Sequence, residues 1–201
     1  MNMRYLDKNE IILPLNRKSQ GVEDIEYRQY VEIVTLLKLW RERYGFFKNV
    51  KSIRLATEEE DKNEKVDAVL ITQNNKEIKV QLKVDHGEDY VHMRDKEYQK
   101  IKNSHYKSDY QIQCSYKEAD YHSLGEKKIE DLEFTQILCA DIGKIRKIIQ
   151  HSNSGYKGPE DHTIIKGPVR DRHLFKEYFH EDGCYIRVPQ DLTEGFCTRW
   201  V

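Results

Sequence analysis

The chain has 201 residues, 38% hydrophobic and 34% charged, which is enough to form one domain with a buried core. Its 34 basic residues nearly balance its 35 acidic residues, and the net charge of −1 excludes a uniformly basic nucleic-acid-binding domain. The first residues contain no apolar signal region, and no apolar run is long enough to cross a membrane. We therefore expect a soluble, cytoplasmic, single-domain protein that spans residues 1–201.

The cysteines are expected to be ordinary reduced thiols. The sequence contains no C-x-x-C pair and no regular cysteine spacing, so neither a zinc ribbon nor a disulfide framework is indicated. The four residues concerned are Cys114, Cys139, Cys184 and Cys197.

The first predicted elements are a short extended start at residues 11–15 and then a long helix. Between residues 22 and 45, apolar side chains recur at spacings of three and four, which indicates a helix packed by one face. These side chains are Tyr30, Val31, Val34, Leu37, Trp40 and Tyr44. Gly45 is expected to end the helix, and residues 46–56 are predicted to form the first strand.

The next segment is predicted to be a β-hairpin preceded by a charged, exposed turn at residues 57–65. One strand covers residues 66–72, and the other covers residues 77–84 and alternates strictly between apolar and polar side chains. Asn74 and Asn75 lie between the strands, and asparagine tolerates the left-handed backbone of a tight turn.

The rest of the chain is predicted to complete an α/β fold with a central mixed β-sheet flanked by helices. The core covers residues 22–151 approximately, and a loop-rich C-terminal elaboration covers residues 152–201, where glycine and proline recur. The predicted elements are a helix at 86–105, strands at 109–116 and 134–139, a helix at 141–151, a helix at 169–179 and a strand at 185–188.

Three polar side chains of the hairpin form the main candidate site. Asp67 is the one polar residue in an apolar strand, and Gln81 and Lys83 lie on the polar face of its neighbour. If the strands pair so that Asp67 and Gln81 share a face, these side chains converge, because paired positions have β-carbons about 5 Å apart. An alternative interpretation is a ribbon with one solvated polar face.

The converging groups match the chemistry of phosphodiester hydrolysis. A carboxylate and an amide oxygen can hold a hard divalent cation, which neutralises phosphoryl charge and activates a water molecule. A nearby ammonium can stabilise the transition state or orient that water. On this hypothesis Asp67 and Gln81 bind the metal and Lys83 lies at the nucleophilic water.

This arrangement resembles the PD-(D/E)XK nuclease superfamily. The resemblance rests on V-D at Val66-Asp67, thirteen intervening residues, and Q-L-K ending at Lys83, with a helix before the hairpin and a helix and strand after it. It covers residues 26–116 approximately. Val66 stands where many members have proline, and Gln81 stands where an acidic residue is usual, as in Q-x-K variants of Mrr-like and restriction nucleases.

The resemblance implies a restriction-endonuclease-like fold, Mg²⁺ or Mn²⁺ as cofactor, and an acidic residue from the first helix. Glu32 is the first candidate for this acid, because Y-V-E-I-V-T-L-L-K-L-W-R-E-R-Y-G-F resembles a first-helix pattern of resolvase-like and Mrr-like members. Glu26 is the second candidate. A solvated helix position is an equally simple interpretation of either glutamate.

DNA is the expected partner, and a homodimer would suit cleavage of both strands of a symmetric site. Basic residues with interleaved tyrosines after the third strand, and others near the glycine-rich loops, are candidates for phosphate contacts. The residues are His86, Arg94, Lys96, Lys100, Lys102 and Lys107 in the first group, and Lys157, Lys166, Arg170, Arg172 and Lys176 in the second. His86 also fits an ordinary loop residue.

A restriction-type endonuclease is the most specific function that the resemblance implies. The chain carries no P-loop, and the residues after the predicted hairpin and its following strand are numerous enough to read a DNA sequence. Two alternatives remain: a non-catalytic nucleic-acid-binding module on the same fold, and an RNA-directed nuclease.

Overall fold

The computed structural model describes residues 3–15, 21, 23–84, 90–94, 97, 100–101, 103–117, 124–152, 164–166, 183–187 and 197–201. The strands in this part are β1 (Tyr5–Leu6), β2 (Val50–Leu55), β3 (Ala68–Thr72), β4 (Glu77–Val84), β5 (Tyr90–Arg94), β6 (Tyr110–Tyr116), β7 (Phe134–Asp141), β8 (Ile164–Lys166), β9 (Gly183–Arg187) and β10 (Cys197–Arg199). The α-helices are α1 (Asp24–Arg41) and α2 (Ile142–Ser152), and 3₁₀ turns cover Gly45–Asn49, Leu124–Glu126 and Ile129–Asp131.

The main sheet is mixed, which confirms the predicted α/β class with a central mixed β-sheet. Its seven strands lie in the order β1-β2-β3-β4-β6-β7-β10, with β4 parallel to β6 and the other neighbours antiparallel. A separate three-stranded sheet has the order β5-β9-β8. The predicted C-terminal elaboration therefore contributes β10 to the main sheet as well as two strands to the small one.

The core lies between α1 and one face of the main sheet. Along α1, Tyr27, Val31 and Val34 follow the predicted helical spacing, and residues 34–40 are all buried. Burial on every side arises because the sheet covers one side of the helix while the 3₁₀ turns at 124–126 and 129–131 cover another. The alternating apolar residues of β4 (Ile78, Val80 and Leu82) belong to this core, as predicted.

Two predicted boundaries are wrong near the end of α1. The helix ends at Arg41 rather than at Gly45, and residues 46–49 form a 3₁₀ turn rather than the start of a strand. Tertiary packing explains the difference, because Phe46 and Phe47 both lie edge-on against Trp200, with ring centroids 5.0 and 6.2 Å apart. A contact with the far end of the chain leaves no signal in the local pattern.

Other predicted elements differ in the same way. Residues 11–15 have no regular structure, although Ile12 and Leu15 pack against the core. The helix predicted for 86–105 is wrong at Tyr90–Arg94, which pairs instead with Gly183–Arg187, while Glu97, Lys100 and Ile101 are helical. The helix predicted for 169–179 lies outside the described residues. Neither α-helix in the described part of the chain has the length and apolar character needed to cross a membrane.

Gly45 is held in a conformation that suits only glycine. Its φ is +47°, and a β-carbon at this position would lie 2.2 Å from Trp200 Cε2. We expect Gly45→Ala to lower the free energy of unfolding by about 2 kcal/mol, because the indole ring must move out of its packed position. Urea denaturation measures the loss. Gly21→Ala is the control, since Gly21 also has a positive φ but a β-carbon added there would meet no atom within 4 Å; an equal loss in both variants would contradict the packing explanation.

Candidate metal centre

Asp67 and Gln81 are brought together by the register of the β3–β4 hairpin. Ala68 pairs with Val80, and the Asp67 N–H donates to the Val80 carbonyl at 2.8 Å. Asp67 Oδ2 accepts hydrogen bonds from Gln81 Nε2 and from the backbone N–H of Leu82, both at 2.6 Å. The predicted convergence of Asp67 and Gln81 on one face of the hairpin is therefore present.

The polar face of β4 is buried around Gln81, although Glu77 at the start of the strand is exposed. Gln81 is only 2% exposed, and the neighbouring strand β6 places Gln111 and Gln113 beside Gln81 and Lys83 on the same face. Tyr106, fully buried, covers this face and donates its hydroxyl hydrogen to Gln111 Oε1 at 3.1 Å. The alternative of a solvent-facing ribbon does not apply to this part of the hairpin.

The oxygen of the Gln81 amide has no hydrogen-bond partner among the described residues. This atom, Oε1, is buried while the amide nitrogen is bound to Asp67. A buried carbonyl oxygen without a partner costs free energy comparable to a lost hydrogen bond, so the position calls for a donor or a cation. An amide oxygen and a carboxylate are ligands that suit a hard divalent cation, and the two would face one ion once the Gln81 amide turns Oε1 toward Asp67.

Lys83 is held by a carboxylate that the sequence pattern did not single out. Its Nζ donates to Glu97 Oε1 at 2.5 Å, and the side chains are only 10% and 6% exposed. The ammonium on the β4 face is thus neutralised by a residue from the helical segment that follows β5. The ion pair places a buried carboxylate on Lys83, which lies two residues after Gln81 on the same face of β4.

The pKa of Asp67 is affected by its burial and by two acidic side chains, Glu32 and Asp61. Burial is the main cause that raises the pKa of Asp67 to about 8, and the charges of Glu32 and Asp61 raise it further. The Leu82 N–H and the Lys83 ammonium act in the opposite direction. Without a cation, Asp67 therefore keeps much of its proton at neutral pH.

Glu32 lies within electrostatic reach of this cluster, whereas Glu26 is exposed. Burial raises the pKa of Glu32, Arg28 lowers it through an ion pair at 3.0 Å, and Asp61 and Lys83 also act on it. Its carboxylate is already paired with Arg28 but is 20% exposed. Of the two candidate acids on α1, Glu32 is the one whose charge acts on Asp67.

The charged run at 57–65 is largely exposed, as predicted, and it forms a capped helical turn. Glu60 Oε2 accepts from the Thr57 N–H at 2.9 Å, and the Glu60 N–H donates back to Thr57 Oγ1 at 3.3 Å, which is the capping-box arrangement. Arg54 of β2 donates two hydrogen bonds, of 2.8 and 2.9 Å, to the Glu60 carboxylate. This turn carries Asp61 and leads directly into Asp67.

We expect Glu60→Gln to destabilise the protein by about 1 to 2 kcal/mol at pH 7, less than the pKa difference alone implies because part of the pair faces water. Arg54 lowers the pKa of Glu60 from 4.5 to about 2, so its stabilising effect is present above pH 4.5 and is lost as the pH falls through about 2. Urea denaturation at pH 7 and pH 3 measures this, with the exposed Glu59→Gln as control; a wild-type advantage that grows on acidification would contradict it.

Glu97 and Asp61 were missed as site residues, and each left only a weak signal. Glu97 lies four residues before the fully buried Ile101, so helical spacing puts it on the buried face of that segment. Asp61 lies just after the T-E-E-E stretch, whose capping-box spacing indicates a helical turn rather than an open loop. Neither signal connects the residue to Lys83 or Asp67, which requires the tertiary structure.

Most of the proposed phosphate contacts lie outside the described residues. These are His86, Lys96, Lys102, Lys157, Arg170, Arg172 and Lys176. For Arg94 and Lys166 only the backbone is described, in β5 and β8. Lys107 is exposed, while the Lys100 ammonium is bound to backbone carbonyls of the capped turn.

A cation at this centre would need Gln81 as one of its ligands. Among the described residues, no group of three His, Cys, Asp or Glu side chains could hold a metal ion. The fit with Mg²⁺ or Mn²⁺ therefore relies on the Gln81 amide oxygen together with Asp67, with Glu97 and Glu32 as nearby carboxylates. In comparisons with known proteins, no family model, no curated protein and no solved structure matches the chain.

Proposed function

We propose that this protein is a divalent-metal-dependent endonuclease that hydrolyses DNA phosphodiester bonds, with restriction-type cleavage as the specific form. The observation that carries the proposal is the contact between the half-buried Asp67 and the buried Gln81, with the unpartnered Gln81 Oε1, on the same face of β4 as the Lys83 ammonium. A carboxylate, an amide oxygen and a cationic side chain in one cluster are the groups that such hydrolysis needs.

The order of elements around the cluster also supports a restriction-endonuclease-like fold. A helix precedes three consecutive antiparallel strands; β5 of the small sheet and then helical residues follow, and they lead to a strand that is parallel to the third. Apart from the inserted β5, this is the helix, strand, strand, strand, helix, strand order that carried the resemblance in the sequence. The parallel β4–β6 pair places both polar strands of the centre side by side.

Each residue of the centre has a proposed task. Asp67 and Gln81 Oε1 would hold Mg²⁺ or Mn²⁺, and Glu97 adds, from a different element, the buried negative charge that Gln81 lacks. The bound ion would supply charge neutralisation at the phosphate and a more acidic water. Lys83 orients the water or the scissile phosphate, and Glu32 acts as the auxiliary acid from α1.

A non-catalytic binding module is the second candidate, and one observation favours it. Lys83 is already neutralised by Glu97, and the amide nitrogen of Gln81 is already bound to Asp67. Contacts between these side chains can stabilise the fold without taking part in a reaction. On this alternative the protein binds nucleic acid but leaves phosphodiester bonds intact.

The test is incubation of the purified protein with supercoiled plasmid DNA and, in parallel, with single-stranded RNA. Mg²⁺ or Mn²⁺ is added, and EDTA serves as the control. We expect metal-dependent conversion of plasmid to linear DNA, with both strands cut as a homodimer would do. Binding without cleavage in every metal would overturn the enzyme proposal in favour of the module, and cleavage of RNA alone would redirect it to an RNA nuclease.

Gln81→Glu provides a finer test of the same centre. The variant adds a carboxylate where the amide stands, so a working metal site should bind Mn²⁺ more tightly and retain cleavage. Isothermal titration calorimetry measures the affinity. A variant that binds Mn²⁺ no better than the wild type would show that Gln81 is not a metal ligand.

A further inference from the structure

Lys100, a basic residue in the helical segment after β5, has its ammonium bound to backbone carbonyls near the protein surface. Its Nζ donates to the backbone carbonyls of Lys62 at 2.8 Å and Asn63 at 3.0 Å. These carbonyls belong to the last turn of the capped helical segment, where carbonyl groups have no helical partner of their own. A lysine at this end of a helix both fills the hydrogen bonds and complements the helix dipole.

The same short helical segment also holds the opposite side of the centre. Glu97 lies one helical turn before Lys100 and binds Lys83 of β4. Two helical residues after β5 thus contact both sides: Glu97 binds the Lys83 ammonium, and Lys100 binds the turn that carries Asp61. The two attachments lie on either side of Asp67 in the chain.

The attached turn is the direct support of Asp67. After Asn63 the chain passes through Lys65, whose φ is +60°, to Val66, which is fully buried and donates its N–H to Glu60 O at 3.2 Å. Other contacts also hold this turn: Arg54 binds the Glu60 carboxylate near its start, and at its end the Lys107 N–H donates to Glu64 O at 2.8 Å. The Ser108 hydroxyl donates to Lys65 O just beyond it. The carbonyls of Lys62 and Asn63 receive the Lys100 ammonium.

We propose that Lys100 is a positioning residue for the metal centre, which locks the capped turn before Asp67 to the helical segment that carries Glu97. The proposal rests on the nuclease function proposed above. It assigns to Lys100 a role different from the phosphate contact that the sequence suggested. Electrostatics agree with this position: burial and Lys65 lower the pKa of Lys100, while the charges of Asp61 and Glu97 raise it.

The test uses Lys100→Met, with Lys62→Met as the control. Lys62 is an exposed lysine on the same turn, so its replacement changes the charge equally but leaves both carbonyl contacts in place. We expect Lys100→Met to lower kcat about tenfold with KM for DNA and its salt dependence unchanged, because the reacting groups are displaced while substrate binding is not. Lys100→Arg, which can also donate to two carbonyls, should restore kcat.

Hydrogen exchange separates this proposal from the proposed function. In metal-free Lys100→Met, the amides of Asp61 and Val66 should exchange about tenfold faster than in the control, because the turn opens more often. If the wild type does not cleave, the nuclease proposal fails, and the exchange result alone decides whether Lys100 holds the turn. A raised KM with unchanged exchange, or faster exchange with unchanged kcat, would overturn the positioning role. If Lys100→Met does not fold, Lys100→Gln takes its place, since its amide can reach one carbonyl.

Discussion

Asp67→Asn is expected to abolish metal-dependent cleavage, with a loss of at least about a thousandfold, because the metal loses its one charged ligand on the hairpin. Asparagine has nearly the same shape and can still accept the Leu82 N–H. With its Oδ1 in the place of Asp67 Oδ2, asparagine also keeps the hydrogen bond from Gln81 Nε2. The loss of activity should therefore occur in a well-folded protein. Plasmid cleavage and Mn²⁺ titration measure it.

The stability of the metal-free protein should change in the opposite direction. The pKa of Asp67 is raised to about 8 from its ordinary value of 3.8, so the folded state keeps a proton that the unfolded state releases. The contribution of the protonated Asp67 to the free energy of unfolding is fully present below pH 3.8, and it is lost as the pH rises to about 8. Asp67→Asn removes this fall and should be more stable than the wild type by about 2 kcal/mol at pH 8. The charged groups that act on Asp67 are Glu32, Asp61 and Lys83.

Glu77→Gln is the matched control for Asp67→Asn. Glu77 is an exposed carboxylate at the start of β4, so the variant loses the same charge on the same hairpin. It should keep the cleavage rate, the Mn²⁺ affinity and the pH profile of stability of the wild type. Cleavage that survives Asp67→Asn would remove Asp67 from the proposed metal site.

Glu97→Gln is expected to lower the free energy of unfolding by about 3 kcal/mol, because it leaves the buried Lys83 ammonium without its carboxylate. The double variant Lys83→Met, Glu97→Gln should recover at least half of this loss, since no uncompensated charge remains. Urea denaturation of the two single variants and the double variant gives the coupling between the residues.

A second ion pair on the same strand provides the control. Lys79 and Glu64 are 3.0 Å apart, but their side chains are 31% and 35% exposed, so the corresponding variants should each cost less than about 1 kcal/mol. Cleavage separates the two candidate functions. In a nuclease, the double variant regains stability but not activity, whereas in a binding module it regains both stability and nucleic-acid affinity. Additive losses at Lys83 and Glu97 would contradict a direct ion pair.

The sequence alone determined the elements whose pattern is local. The spacing of Tyr30, Val31 and Val34 predicted α1, and the alternation from Glu77 to Val84 predicted β4 with its correct bounds. A single carboxylate in an apolar strand, with a polar face on the partner strand, was enough to predict that Asp67 and Gln81 lie together. Hairpin register explains this success, because residues joined by a short turn can pair in few ways.

The tertiary structure alone decided the features that depend on distant contacts. Phe46 and Phe47 form a 3₁₀ turn because Trp200 packs on them. Tyr90–Arg94 is a strand because it pairs antiparallel with Gly183–Arg187. Local propensity carries no information about partners this far along the chain.

The electrostatic character of the candidate centre was also decided by the tertiary structure. The segment around Tyr106 covers the polar face of β4 near Gln81, so this part of the strand is enclosed rather than solvated. Glu97, which belongs to another element, binds Lys83. The sequence identified which side chains on the hairpin could bind a cation. The fold determined how deeply they are buried and which carboxylates surround them, because burial and charge proximity are properties of the packed chain and not of the local pattern.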